Sequence, residues 1–278
     1  MTQDTCAIPN YNRVLSTSGD HGIELWCCMG IAFRTDNTNG LILAGGQIMI
    51  AGVLNYDRTA FLDLNTFQLN LSDHRTNYPH RRTAYSGTKS GLILCGGWTG
   101  VRWGSQVCEV FENNTWTLLP SMPVQANFGA MTQFNGTLYV AGGFFSDVAR
   151  AEMQIFDPVG QTWSRPTSLR RSRYAHHMAE MDALVYVCGG RGPAGARYGN
   201  YNYCERYDPA TNQWTYLASM RYARTDHTLV VFEGRLYVFG GAGTKVEYYN
   251  KSTNSWIMSH DLLPGTRPVA ALALDQFM

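Results

Sequence analysis

Five Gly-Gly pairs punctuate the chain, at Gly45-Gly46, Gly96-Gly97, Gly142-Gly143, Gly189-Gly190 and Gly240-Gly241, with intervals of 51, 46, 47 and 51 residues. A repeat of this size means that one supersecondary unit is copied and that each copy buries its apolar surface against its neighbours. The unit itself is legible. Before each pair runs a short apolar segment (residues 41–44, 92–95, 138–141, 185–188 and 236–239) rich in the branched and aromatic side chains that favour strands. After each pair come a variable loop, a second strand such as Glu152-Met153-Gln154-Ile155-Phe156-Asp157-Pro158 or Glu205-Arg206-Tyr207-Asp208-Pro209, a polar turn, and a tryptophan at Trp116, Trp163, Trp214 or Trp256. With 28 glycines and only 15% charged residues in 278, the composition suits strands and tight turns.

These residues resemble the kelch repeat, in which an apolar strand, Gly-Gly, a Tyr-Asp strand and a turn leading to Trp follow in that order. The resemblance covers nearly the whole chain and implies an all-β propeller of four-stranded blades, with strands a to d running outward from a central channel. Residues 1–278 then form one domain. With blade boundaries in the loop before strand a, at Met29, Arg82, Asn127, Arg173, Arg224 and Arg267, five blades are complete. Segments 1–28 and 267–278 together make almost a sixth. Residues 269–274 would supply its strand a, residues 12–16 and 23–28 its strands c and d, and Trp26 its tryptophan, so the ring is expected to close through both termini.

A balance of 22 basic against 21 acidic residues gives no global field for nucleic acid or an anionic membrane. The first 15 residues hold no continuous apolar core, so no secretory leader is read there and a cytoplasmic location is expected. Of seven cysteines four fall at repeat positions, Cys95 and Cys188 just before a diglycine and Cys108 and Cys204 in the strand after one. The expectation is buried, unreactive thiols without a disulfide. Paired His176-His177 on a strand point to opposite faces and cannot jointly hold a metal, and there is no Cys-x-x-Cys, so neither metal nor cofactor is expected.

Antiparallel strands return the b-to-c and d-to-a loops to one face, which is where local function is expected. The d-to-a positions align as Arg82, Asn127, Arg173, Arg224 and Arg267, arginine at four of them, placing guanidinium groups around the channel mouth. The b-to-c loops add Trp98, Arg102, Trp103, Phe144, Phe145, Arg191, Arg197, Tyr198 and Tyr201, residue types enriched at the centres of protein interfaces. The resemblance is nearest to the kelch domains of BTB-kelch adaptors, which present substrates to cullin ubiquitin ligases. It implies a non-catalytic module that holds an acidic peptide with these residues. Actin-associated kelch proteins are the second reading. Kelch-fold oxidases and sugar epimerases are the third, and an oxidase would need a cluster such as His176, His227, Tyr85 and Cys188.

Overall fold

The computed structural model describes residues 23–26, 30–33, 40–44, 47–50, 53–63, 65, 69–87, 91–98, 105–193, 199–242 and 245–259. Five four-stranded antiparallel meanders follow one another along the chain, forming a β-propeller. Blade 1 runs through Gly30–Phe33, Gly40–Ala44, Arg58–Asp63 and Leu69–Arg75, and blade 2 through Ala84–Gly87, Gly91–Cys95, Cys108–Glu112 and Thr115–Leu119. Blade 3 comprises Ala130–Phe134, Thr137–Ala141, Met153–Asp157 and Thr162–Ser164. Blade 4 comprises His177–Met181, Leu184–Cys188, Cys204–Asp208 and Gln213–Tyr216, and blade 5 Thr228–Phe232, Arg235–Phe239, Glu247–Asn250 and Ser255–Met258. Strand a of each blade touches strand a of the next, so these strands line the axis.

Strand b of blade 2 is buried along its whole length, which is why its sequence is a continuous apolar run instead of an alternating one. Cores lie between blades: one cluster joins Tyr186 and Cys188 of blade 4 to Leu236, Val238 and Trp256 of blade 5, and another joins Ile93 and Val110 of blade 2 to Leu138 and Phe156 of blade 3. The strand d tryptophans serve these seams. Trp116, Trp163, Trp214 and Trp256 each lie 5.0 to 5.5 Å from an aromatic ring on strand c of the same blade. Trp163 and Trp256 donate their indole N–H back to the preceding blade, at Pro120 O and Ala218 O.

The diglycines act at the same seams. Gly142 has φ +62°, and a Cβ there would lie 2.5 Å from the carbonyl oxygen of Arg173 in the loop entering blade 4. The next N–H, of Gly143, donates to that same carbonyl at 2.8 Å. Gly189 and Gly190 repeat the arrangement against Arg224 O. One glycine thus makes room for the incoming backbone and the other binds it.

Strand Ile23–Trp26 pairs with Gln47–Ile50, which pairs in turn with Val53–Asn55 in the b-to-c connection of blade 1, a partnership the repeat did not predict. The other strands expected of a sixth blade, 12–16 and 269–274, lie outside the described residues. One expectation is corrected: the cysteines do form disulfides, Cys95–Cys108 and Cys188–Cys204. The last residue of strand b lies directly opposite the first of strand c, with Cα atoms 4.1 and 4.2 Å apart, so repeat position itself creates the pair. Cys95 and Cys188 are buried as expected, and so are their partners Cys108 and Cys204.

Gly142→Ala should therefore cost more than about 1 kcal/mol of stability in denaturant titration, because added bulk and a left-handed backbone act together. Gly234→Ala, also at positive φ but with open space around it, should cost distinctly less.

Candidate functional site

The first residue of strand a pairs with the last of strand b in blades 2 to 5, so d-to-a and b-to-c loops do share one face. What the loops present there follows from how they are tied down. In blade 4, Arg173 Nη2 donates to Glu205 Oε1 at 2.6 Å and Nη1 to the carbonyls of Gly189 and Tyr203, with both charged side chains fully buried. Arg224 makes the same pattern in blade 5 with Glu247 and Gly240 O. In blade 2 the position belongs to His80, which meets Glu109 Oε1 at 3.0 Å and Gly96 O at 3.2 Å. Burial alone would raise the Glu109 carboxyl, but hydrogen bonds from His80 and Asn77 hold it below its ordinary value.

Blade 3 shows the rule by exception. Its acid is replaced by Gln154, and the arginine position by Ala126, whose N–H donates to Ser105 O as Arg173 N does to Arg150 O. Gln154 accepts from Val124 N at 2.7 Å and donates to Val124 O at 3.0 Å. Charge and countercharge disappear together.

The predicted ring of arginines at the channel mouth is thus corrected for Arg173 and Arg224, whose guanidinium groups are consumed inside their own blades. The alignment is also shifted, because the partner of these two is His80, not Arg82. Asn127 and Tyr201 are buried as well, Tyr201 folding beneath Gly192 of its own loop. Arg102, Trp103, Arg197, Tyr198 and Arg267 lie outside the described residues. Cys188, bonded to Cys204, is not available to an oxidase-like cluster. Among the described residues no three His, Cys, Asp or Glu side chains gather as a metal group.

An arc of other side chains occupies the face. Arg82, Phe128, Ala175 and Asp226 are equivalent residues at positive φ, and the N–H of the last three donates to the carbonyl of the counterpart one blade back: Phe128 to Arg82 at 2.9 Å, Ala175 to Phe128 at 2.9 Å, Asp226 to Ala175 at 3.0 Å. Arg82 lies 4.2 Å over the Phe128 ring. Phe128 and Phe144 both pack on Tyr174, at 5.9 and 4.7 Å, and Trp98 packs edge-on to Tyr56 at 5.7 Å with Arg81 over the same tyrosine. Arg191 is exposed beside Tyr174, and Phe145 packs against Arg150. Of the predicted residues, Arg82, Trp98, Phe144, Phe145 and Arg191 therefore do reach this face. Tyr56, Arg81, Phe128, Tyr174 and Asp226 were missed, although 128 and 174 directly follow boundary residues 127 and 173. Crowding at the mouth pushes the Asp226 carboxyl above its ordinary value, although Thr225, Arg82 and Arg191 favour its charged form.

Residues 32–241 match the family model described as the KLHDC2/KLHL20/DRC7 Kelch-repeats domain. The chain belongs to the kelch-repeat family. Similar curated kelch proteins include Kelch-like protein 36 of Rattus norvegicus, 25% identical over 57% of this chain and 26% of that protein, and an F-box/kelch-repeat protein of Arabidopsis thaliana, 34% identical over 50% and 39%. Spermatocyte protein spe-26 of Caenorhabditis elegans is 29% identical over 68% of this chain and 34% of its own length. The chain thus spans between a quarter and two fifths of these kelch relatives. The solved structure of YjhT superposes with TM-score 0.59 at 15% identity, covering 68% of each chain, a likeness of fold.

Two outcomes follow for this kelch domain. Arg173→Ala should lower unfolding free energy by about 3–5 kcal/mol, because Glu205 is left buried without its countercharge, while Arg82→Ala should leave the melting temperature nearly unchanged. Acid should also destabilise the domain through its histidines. Burial, reinforced by the Arg173 cation, holds His176 well below its ordinary value; burial acts likewise on His227, and lowers His177 to about 4. Above the unfolded value of about 6.5 these rings are neutral in both states. As pH falls from there towards about 4 the unfolded chain binds protons that the folded one refuses, and each histidine costs up to about 1.4 kcal/mol per pH unit. Urea midpoints measured at pH 7.5 and 5.5 should separate accordingly, and less so for His176→Gln.

Proposed function

We propose that this chain is a non-catalytic recognition module that binds a protein segment, acidic in character, on the face formed by its d-to-a and b-to-c loops. One observation supports this above all: an arc of half-buried aromatic rings interleaved with arginines, Tyr56, Trp98, Arg81, Arg82, Phe128, Phe144, Tyr174 and Arg191, which no core packing requires. Tyrosine, tryptophan and arginine dominate interface centres because they combine large contact area with directional polar contact. The kelch relatives, Kelch-like and F-box/kelch-repeat proteins among them, agree with a protein partner. In this reading the domain is the substrate-holding part of a ubiquitin ligase adaptor. Neither nucleic acid nor membrane is its target. A cytoplasmic location goes with that role, and there the Cys95–Cys108 and Cys188–Cys204 bonds would meet a reducing thiol pool.

The test is a titration of fluorescein-labelled dodecapeptides, Glu-rich with one central aromatic residue, against their Gln-substituted counterparts. The acidic peptide should bind, more weakly as salt rises. Arg82→Ala and Arg191→Ala should each weaken it by about 1.5–3 kcal/mol, roughly ten- to a hundredfold, with unchanged melting temperature. Equal binding of acidic and Gln peptides, or of wild type and both variants, would remove the acidic reading. Loss of binding only when the outer strands are altered would favour the actin-like alternative.

A further inference from the structure

The link between blades 3 and 4 exposes a second cationic feature, away from the arc. Its backbone is fixed at both ends: Leu169 N donates to Ala151 O at 2.7 Å, Arg170 N to the buried Glu205 carboxylate at 2.9 Å, and Arg173 N to Arg150 O at 2.9 Å. Between these anchors Arg170 and Arg171 project into solvent. Arg170 Nε donates to Trp214 O at 3.1 Å, and its guanidinium lies 5.0 Å from the centre of the Tyr216 ring. Arg171 lies 4.2 Å over Tyr203, and the hydroxyls of Tyr216 and Tyr203 both favour its charged form. Tyr216, itself 47% exposed, therefore serves both arginines and draws them to one side.

Neither guanidinium meets a carboxylate among the described residues. Glu205, the nearest buried acid, is saturated by Arg173 and by the Arg170 backbone. The fold does not demand this pair, because the same two positions are Asn77-Tyr78, Pro123-Val124 and Arg221-Tyr222 in blades 2, 3 and 5. Two adjacent cations on a rigid backbone repel each other, and rings beneath them orient the charge without neutralising it. A dianion with three oxygens can bridge both guanidinium forks at once, whereas a carboxylate is satisfied by one.

We propose that Arg170 and Arg171, framed by Tyr203 and Tyr216, form a subsite for a phosphorylated side chain on the bound protein segment. The inference rests on the reading of the loop face as a protein-binding surface, since Tyr203 continues through Tyr201, 5.4 Å away, into the b-to-c loop of blade 4. A net charge of +1 gives the molecule no broad basic field for an anionic membrane.

The experiment follows the arginine Nε–Hε resonances of the full chain during titration with acetyl-Gly-Ser-phosphoThr-Ser-Gly-amide, its unphosphorylated form, and vesicles containing phosphatidylinositol 4,5-bisphosphate. The phosphopeptide should shift the Arg170 and Arg171 signals saturably, and the unphosphorylated peptide should not. Arg171→Gln should weaken the response at least about tenfold. Tyr216→Phe, which keeps the ring and removes the hydroxyl, should weaken it a fewfold, and Arg82→Gln should leave it intact. Equal shifts from both peptides, undiminished phosphopeptide affinity by calorimetry in the Arg170→Gln/Arg171→Gln double variant, or engagement by vesicles alone would overturn the subsite. Phosphopeptide binding here, alongside failure of the Glu-rich peptide at Arg82 and Arg191, would overturn the acidic reading of the arc and leave this subsite standing.

Discussion

In blades 2, 4 and 5 a buried acid at the start of strand c organises the loop that enters the blade. Glu109, Glu205 and Glu247 lie at zero exposure, where an unpaired carboxylate would be strongly unfavourable, so each must collect donors. The donors come from the loop entering that blade: backbone N–H groups of Asn77 and Tyr78, of Arg170, and of Arg221 and Tyr222, together with His80, Arg173 or Arg224. In blades 4 and 5 the same loop gives its carbonyl to the diglycine of the blade before. One peptide segment is thus held from both sides, its side chain by the following blade and its backbone by the preceding one. Blade 3 shows how tightly the parts are linked, for where Gln154 replaces the acid, Ala126 removes the cation and Pro123 has no N–H to offer.

That arrangement separates two kinds of arginine which look alike in sequence. Arg173 and Arg224 balance a carboxylate of their own blade and are fully buried, out of reach of a ligand. Arg170 and Arg171 stand on the loop of Arg173, and Arg191 on the b-to-c loop of blade 4, but all three point into solvent. Removing an arginine of the first kind should be felt in unfolding, and one of the second kind in binding.

The repeat period, the strands flanking each diglycine and the packing role of the four tryptophans were all legible, because each arises from local pattern copied several times. The pairing of Cys95 with Cys108 was not, since it depends on cross-strand register, which residue spacing alone leaves open. Nor was the pairing of Ile23–Trp26 with Gln47–Ile50, because that hairpin lies in the variable b-to-c connection, where no repeat pattern announces a strand. The arginine alignment failed for a subtler reason. His80 does the work of an arginine in blade 2, and Arg82, two residues later, imitated the pattern by identity while occupying the left-handed position at the mouth. Only the partner acid, distant in sequence, distinguishes these roles.

The hydrogen-bonded succession of Arg82, Phe128, Ala175 and Asp226 has a consequence for how anything is recognised at the mouth. It forms a run of amides in one rotational sense, in which Phe128 and Ala175 spend both their N–H and their carbonyl on neighbouring blades. A visiting chain finds the backbone of these two residues already engaged and cannot pair with it as a further strand. Along this arc discrimination must therefore be written in side chains, and substitutions can rewrite it while the backbone beneath stays the same.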